Sequence, residues 1–397
     1  MLTRVTIENY KSIAACDVKL GPLTFLVGLN GAGKSNFIDA LRFCRDGLRG
    51  TLDQAFASRS SNLQNLSHIG AHSSPGFGLR VEMQLSETTA AHYAFAIRPQ
   101  SPRGFSVHQE ECVVKDISTD AVLAYFALSS GIVRGHNFRE RPAPTDSRLY
   151  LVQASGAPPF RLVYDALEGM EFYSPDPGIM KKLDRDTSRP ADVLESNGSN
   201  LASVFERIGG ETPEMRERIE EYMQRVVPGL RGIGWETIKT FKLLLFEQGL
   251  EGNGSRTFAA DSMSDGTLRA LAILVALFQR SDIGSKPTMV AIEEPETGLH
   301  PAGAGILLDA LREGASRGQV IVTSHSPDLL DNRAILSEWI LAVDASHGST
   351  VIAPLDAAAR STLRDRLYTA GELLRMDQLK PEINGRLSRP LFDAPFI

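Results

Sequence analysis

The sequence predicts an α/β fold drawn from both ends of the chain, and three observations carry that expectation. An apolar run at residues 22–27 leads into Gly28-Leu29-Asn30-Gly31-Ala32-Gly33-Lys34-Ser35 and then into a stretch of helical periodicity. Between residues 79 and 97 apolar and polar residues alternate, the mark of antiparallel strands with one wet face. From residue 261 short apolar strands alternate with helical stretches, as in a parallel sheet.

The elements follow in order. Val5 and Ile7 alternate with Thr6 and Glu8, predicting a strand, and residues 17–20 predict its hairpin partner. Residues 22–27 read as a buried strand. Residues 36–45 read as a helix with Phe37, Ile38, Leu41 and Cys44 on one face. Residues 50–78 are polar and serine-rich, a loop with short helices. Leu79, Val81, Met83 and Leu85, then Tyr93, Phe95 and Ile97, mark two strands, and residues 111–115 add another. Residues 118–196 carry little pattern. Within them residues 134–142 read as a polar loop, and Pro158, Pro159, Pro175 and Pro177 mark turns. Residues 201–208 and 213–227 read as helices, the second with Pro213 at its first position. Residues 237–246 predict a single strand and 249–254 a turn. Helices are expected at 267–279 and 304–312, strands at 288–292 and 320–323, and a closing hairpin at 339–343 and 350–353 across Ser346, His347 and Gly348.

Composition bounds the function. The 397 residues are 42% hydrophobic and 23% charged with a net charge of −6, ordinary for a soluble globular protein and unlike a polycation. Cys16, Cys44 and Cys112 are odd in number and widely spaced, which argues against a disulfide framework or zinc site and suits a reducing compartment. The N-terminus lacks the apolar block of a signal peptide, and the longest apolar run is too short to span a bilayer. The expectation is a cytoplasmic protein with no membrane partner.

Residues 28–35 match G-x-x-x-x-G-K-[ST] at every fixed position. Glycines let backbone N–H groups converge on phosphate oxygens, and the helix N-terminus adds partial positive charge. Lys34 would reach the β- and γ-phosphates, and the Ser35 hydroxyl would ligate Mg²⁺. At the end of the strand 288–292 stand Glu293 and Glu294: the first would hold Mg²⁺ through a water, the second would orient the attacking water. Met263-Ser264-Asp265-Gly266-Thr267 opens an apolar helix, and Ser264 and Gly266 there would form a second phosphate-binding edge. One chain cannot easily present that edge to its own loop, whereas two chains head to tail could sandwich ATP between them. His325, at the end of another strand, would touch the γ-phosphate. Basic clusters at Arg134, Arg139 and Arg141, and at Lys181, Lys182, Arg185 and Arg189, could touch nucleic acid but read better as solvated faces, because acids are interleaved and the net charge is negative. Asp184 and Asp186 are read as part of such a solvated ion-pair face.

The order of these motifs resembles the ABC-type ATPase head shared by RecF, SMC and OLD-like proteins. The resemblance covers about residues 1–115 and 255–355. Gly28 to Ser35 resembles Walker A. Ser264-Asp265-Gly266-Thr267 resembles the signature motif, with Asp265 in a usual glycine place and Thr267 in a usual glutamine place. Ile292-Glu293-Glu294-Pro295-Glu296-Thr297-Gly298-Leu299-His300-Pro301 resembles Walker B and the D-loop, in a form distinct from transporter subunits and closest to OLD-like ATPases of bacterial defence loci. Thr323-Ser324-His325-Ser326 resembles the switch segment, and the opening Ile7 to Ser12 resembles RecF-like chains, in which a basic residue at the Lys11 position approaches ATP.

The resemblance implies a P-loop NTPase fold of the ABC-head type with an antiparallel β lid and an inserted, partly helical subdomain. It divides the chain into an N-terminal ATPase lobe (1–117), an inserted subdomain (118–255) and a C-terminal lobe (256–397). It implies ATP and Mg²⁺ as cofactors. Lys11, Asn30, Gly31, Ala32, Gly33, Lys34, Ser35, Asn36, Ser264 and Gly266 would contact ATP, Ser35 and Glu293 would hold the metal, and Glu294 and His325 would be catalytic. A Mg²⁺-binding glutamine is expected before the first lid strand, where the chain offers Gln64, His68 and His72. The expected activity is ATP hydrolysis by an ATP-sandwiched homodimer that senses or regulates a companion effector, a nuclease, in antiviral defence. The alternative is a RecF-like DNA-binding repair ATPase.

Overall fold

The computed structural model describes residues 1–68, 70, 75–100, 104–138, 142–145, 147–184, 193–250, 254–279, 287–345, 348–382 and 389–393. In chain order the elements begin with β1 (Leu2–Tyr10), β2 (Ile13–Lys19), β3 (Leu23–Val27), α1 (Lys34–Arg49), α2 (Leu52–Ala57) and α3 (Leu63–Leu66). Next come β4 (Phe77–Gln84), β5 (Thr89–Arg98), β6 (Ser106–Asp116), β7 (Val122–Ser129), β8 (Ile132–His136), α4 (Tyr150–Ala154) and α5 (Pro158–Glu168). Then follow β9 (Met170–Tyr173), α6 (Pro177–Met180), α7 (Leu201–Glu211), α8 (Pro213–Val226), β10 (Leu230–Ile238), β11 (Phe241–Gly249), β12 (Ser255–Ala259) and α9 (Asp265–Phe278). The last are β13 (Met289–Glu293), α10 (Ala304–Arg317), β14 (Gln319–Ser324), α11 (Pro327–Leu330), β15 (Ile340–Asp344), β16 (Val351–Pro354), α12 (Ala357–Arg364) and α13 (Ala370–Arg375). They fall into two compact units. One holds Met1–Met170, Leu336–Leu367 and Met376–Ile397, the other Glu171–Ile335 and Tyr368–Arg375.

The first unit carries an antiparallel sheet ordered β2-β1-β4-β5-β6-β7-β8 among the described residues. Period-two patterning sets its register: Val5 stands opposite Val81, and Val81 opposite Tyr93. Helix α1 buries Phe37, Ile38, Leu41, Phe43 and Cys44. Phe43 meets Phe56, Phe77 and Phe95 with ring centroids 5.2, 5.1 and 6.4 Å apart. This aromatic cluster ties the helix that follows the glycine loop to the lid strands. Strand β15 pairs parallel with β3 and antiparallel with β16, giving the expected closing hairpin, although Ser346 and His347 lie outside the described residues.

Two expectations are corrected in this unit. Arg134 stands in strand β8, paired to β7, because polar side chains on an edge strand of a sheet leave no apolar alternation to read; Arg139 and Arg141 lie outside the described residues. Strand β7, missed in the sequence, exposes Val122 and Leu123 but buries Phe126 and Leu128, so its alternation starts late.

In the second unit the strands run in the order β14-β13-β9, with β13 and β14 parallel and Glu293 opposite Thr323. Helix α9 is buried nearly all round, from Gly266 to Phe278, which is why its sequence is apolar on every face. Arg218 of α8 pairs with Glu313 of α10 at 2.7 Å, and Tyr222 stacks on Phe278 of α9 at 5.8 Å. The single strand expected over residues 237–246 is two, because the chain reverses at Lys239, whose φ is +57°, and pairs Ile238 with Phe241. The β-branched and apolar residues continue through the turn and hide it from a pattern reading. Among the described residues no helix is long and apolar enough to cross a membrane.

Candidate nucleotide site

The glycine loop sits between β3 and α1 in the first unit. Each glycine there has its own reason. A Cβ on Gly28 would lie 2.1 Å from the Val343 carbonyl of β15, so the strand pairing itself demands glycine. Gly31 and Gly33 have φ of +78° and +103°, the left-handed region that L side chains resist. A Cβ on Gly33 would also lie 2.1 Å from Thr350 Oγ1. The Lys34 side chain is buried at 5% exposure and folds onto its own loop, donating to the Gly28 and Leu29 carbonyls at 2.8 and 3.0 Å. Asn30, Gly31 and Ser35 are exposed and Ala32 is buried. The Asn36 amide donates to Ser12 Oγ at 2.6 Å.

The β1–β2 turn lies beside this loop. Asn9 and Lys11 both have positive φ, 56° and 50°, a strained pair held by neighbours. Lys11 N–H donates to the Leu66 carbonyl, His68 N–H to the Asn9 carbonyl, and the His68 ring lies 2.9 Å from the Lys11 carbonyl. The Lys11 ammonium pairs with Asp39 of α1 at 2.6 Å. Asp39 also accepts from Tyr10 at 2.7 Å and from Arg59 at 2.9 Å. Burial alone would lift the Asp39 carboxyl, but Arg59, Lys11 and Tyr10 together hold it below the usual range. Of the three candidate metal ligands before the first lid strand, Gln64 is exposed on α3, His68 engages the turn, and His72 lies outside the described residues.

The second unit carries the acidic motif. Glu293 ends β13 half-buried. Glu294 follows in a left-handed conformation, φ +46°, its N–H donating to both the carbonyl and the hydroxyl of Thr323 at 3.0 and 3.2 Å. That bifurcated hydrogen bond to β14 holds an unfavourable backbone and turns the carboxylate towards His325, whose Nδ1 lies 3.0 Å from Glu294 Oε1. Parallel pairing of β13 and β14 brings these two residues together. Glu296, two residues further along the motif, accepts from Ser324 at 2.6 Å, a role that the motif does not signal. Burial lifts its carboxyl above the usual range against that bond, and among the described residues its other oxygen has no partner.

The signature edge belongs to the same unit. Ser264 caps α9, accepting from Thr267 N–H at 3.2 Å with its hydroxyl 2.8 Å from that of Thr267. A Cβ on Gly266 would lie 2.1 Å from the Gly298 carbonyl, so the edge packs directly on the loop after Glu296. Asp265 pairs with Lys181 at 2.6 Å.

Two further groups carry no comparable chemistry. Asp184, expected on a solvated face, is buried at 4% exposure and accepts from Ser203 N–H at 3.1 Å. The β-bridge of its backbone to Lys242 draws it in; Arg185, Asp186 and Arg189 lie outside the described residues. His92, Glu111 and Asp393 gather within 4.8 Å. However, the buried Arg80 guanidinium stands 3.1 Å from Asp393 and 3.8 Å from Glu111, filling the cation's place.

Comparison with known proteins bears on both units. Residues 1–65, with the glycine loop, match an AAA ATPase domain family. Residues 145–331, with the signature edge, the acidic motif and His325, match a family described as "AAA domain, putative AbiEii toxin, Type IV TA system". No curated protein matches the chain. Among solved structures, an Smc head bound to the C-winged helix domain of ScpA is 13% identical with a TM-score of 0.51, covering 90% of this chain and 99% of that one. An Smc head with an extended coiled coil from Pyrococcus furiosus, bound to the C-terminal domain of ScpA, is 13% identical with a TM-score of 0.48, covering 92% and 99%. The SMC head domain from Thermotoga maritima is 14% identical with a TM-score of 0.42, covering 90% and 99%. The first of these similarities is one of fold.

Proposed function

We propose that this chain, which has the fold of an Smc head and two segments that match AAA ATPase-domain families, binds and slowly hydrolyses ATP as a nucleotide-sandwiched homodimer. The observation that supports this most is the loop Gly28–Ser35: two left-handed glycines, a buried lysine and a helix beginning at Lys34. Such a loop offers backbone N–H groups and helix-end charge to phosphate oxygens. Lys34 would leave the Gly28 and Leu29 carbonyls for the phosphates, and Lys11 would turn from Asp39 towards the nucleotide. Ser35 and Glu293 would hold Mg²⁺, which when bound offsets charge on the transferring phosphoryl group. Glu294, aimed by Thr323 and bonded to His325, would orient the attacking water, and His325 would report the γ-phosphate. Ser264 and Gly266 would meet ATP held by a second copy.

The match of residues 145–331 to an AbiEii-type family supports a role in toxin–antitoxin or antiviral defence. This chain would be the ATPase that senses a trigger and regulates a companion effector, a nuclease. Buried Cys16, Cys44 and Cys112, all free thiols, suit a cytoplasmic setting. The test is ATP binding and steady-state hydrolysis by the purified chain and by Lys34→Ala. Binding and turnover by the wild type, both abolished in the variant, are expected; wild-type ATP affinity in Lys34→Ala would refute the assignment of the loop.

A further inference from the structure

Thr350 lies 318 residues from Ala32 in sequence, yet its hydroxyl donates to the Ala32 carbonyl at 2.8 Å. Thr350 is 2% exposed. Its Oγ1 is also 2.6 Å from Ser12 Oγ, and Ser12 Oγ accepts from the Asn36 amide at 2.6 Å. Each hydroxyl has one proton to give. The Thr350 proton goes to Ala32, so the Ser12 proton goes to Thr350. The result is a directed chain: Asn36 to Ser12, Ser12 to Thr350, Thr350 to Ala32. Backbone supports it, since Thr350 N–H donates to the Ser12 carbonyl at 2.7 Å.

We infer that Thr350, braced by Ser12, is a positioning residue for nucleotide binding that aims the Gly33 N–H into the phosphate loop. The argument is one of peptide geometry. The Ala32 carbonyl and the Gly33 N–H share one planar trans peptide and point in opposite directions. Holding the carbonyl oxygen down on Thr350 therefore turns the N–H up, away from the brace. Among the described residues that N–H has no protein acceptor. Glycine at position 33 is required for the same reason: any side chain there would collide with Thr350 Oγ1 and with Ser12 Oγ, 2.1 and 2.9 Å from its Cβ. A preorganised donor need not be reoriented when the anion arrives. The brace also links the strained turn carrying Lys11 to the loop, because Ser12 is the next residue.

The inference rests on the reading of the loop as an ATP site, and its test separates the two. Thr350→Val removes the hydroxyl while keeping the branched shape. Thr350→Ser keeps the hydroxyl. Ser12→Ala removes the brace behind it. ATP affinity by calorimetry, kcat and KM, thermal unfolding and the Gly33 amide resonance are measured for all three and the wild type. Loss of one buried hydrogen bond corresponds to about a tenfold change. Thr350→Val should weaken ATP binding and raise KM by about tenfold, with kcat nearly unchanged and the Gly33 amide shifted. Thr350→Ser should restore both, and Ser12→Ala should weaken binding in the same direction. Wild-type affinity with an unmoved Gly33 resonance in Thr350→Val would overturn the proposal. So would equal weakening in Thr350→Ser, which would assign the effect to shape. If the wild type binds no ATP, the function fails, and the Gly33 resonance alone still decides whether the brace aims the amide. If Thr350→Val does not fold, Ser12→Ala and Thr350→Ser carry the decision.

Discussion

His325 Nδ1 and Glu294 Oε1 stand 3.0 Å apart, joined across the ends of two parallel strands. Neither residue reaches the other by local sequence. The register that places Glu293 opposite Thr323, and the left-handed turn at Glu294, bring them together. A carboxylate in a sparsely populated backbone conformation, over-determined by two hydrogen bonds to Thr323, is the kind of strain that functional sites retain.

That pairing sets the first prediction. Glu294→Gln keeps size and loses charge, so it should bind ATP as the wild type does and turn over at least about 100-fold more slowly, the usual scale for losing a general base or water-orienting group. His325→Ala should lower kcat while leaving ATP affinity within about twofold. Single-turnover hydrolysis with a separate binding measurement checks both, and full turnover by Glu294→Gln would remove it as the water-orienting residue.

Much of this site was legible in the sequence because its motifs are local. The glycine loop, the two acids after an apolar strand and the serine before an apolar helix each fit within about ten residues, and strand or helix context surrounds each. What pattern reading missed depends on pairing between distant segments. Thr350 looked like the start of a closing strand; only the β15–β16 hairpin brings it to Ala32. Asp184 looked solvated until its bridge to Lys242 buried it. Asp39, which no motif marks, becomes the partner of Lys11 only when the β1–β2 turn folds over α1. Strands β7 and β8 escaped because exposed Val122, Leu123 and Ile132 break their alternation.

Gly266 offers a steric prediction. Its Cα faces the Gly298 carbonyl with no room for a methyl group. Gly266→Ala should force that loop away at a cost of about 1–3 kcal/mol. It should lower thermal stability and ATP-dependent self-association while leaving ATP binding to the phosphate loop intact. A variant that matched the wild type in both stability and self-association would contradict the contact.

Glu110 predicts an inverted pH dependence. Burial lifts its carboxyl from 4.5 to about 7, against hydrogen bonds from the Tyr150 and Leu151 N–H groups and the Tyr93 hydroxyl. A raised acid binds more protons in the folded chain, so its contribution to stability is complete below pH 4.5 and is lost as pH rises through 7. The loss is on the order of 3 kcal/mol. Urea unfolding across this window should show stability falling as pH rises, and Glu110→Gln should flatten that slope even if it is less stable overall. An unchanged slope in the variant would assign the dependence elsewhere.

The effector chemistry should lie on another polypeptide. With Arg80 set among His92, Glu111 and Asp393, and with Asp184 buried, the purified chain should cleave neither DNA nor RNA with Mg²⁺ or Mn²⁺, with or without ATP. Robust cleavage that survives Lys34→Ala but disappears in Asp184→Asn or His92→Ala would reveal an effector site in this chain.

ATP should join two copies head to tail, the glycine loop of one meeting Ser264 and Gly266 of the other. Sedimentation of Glu294→Gln, with and without ATP, tests it most directly, because slowed hydrolysis should accumulate the joined state. Adding ATP should shift Glu294→Gln from monomer to dimer, and the Lys34→Ala/Glu294→Gln double variant should lose that shift. A chain that binds ATP yet sediments as a monomer at high concentration would contradict it.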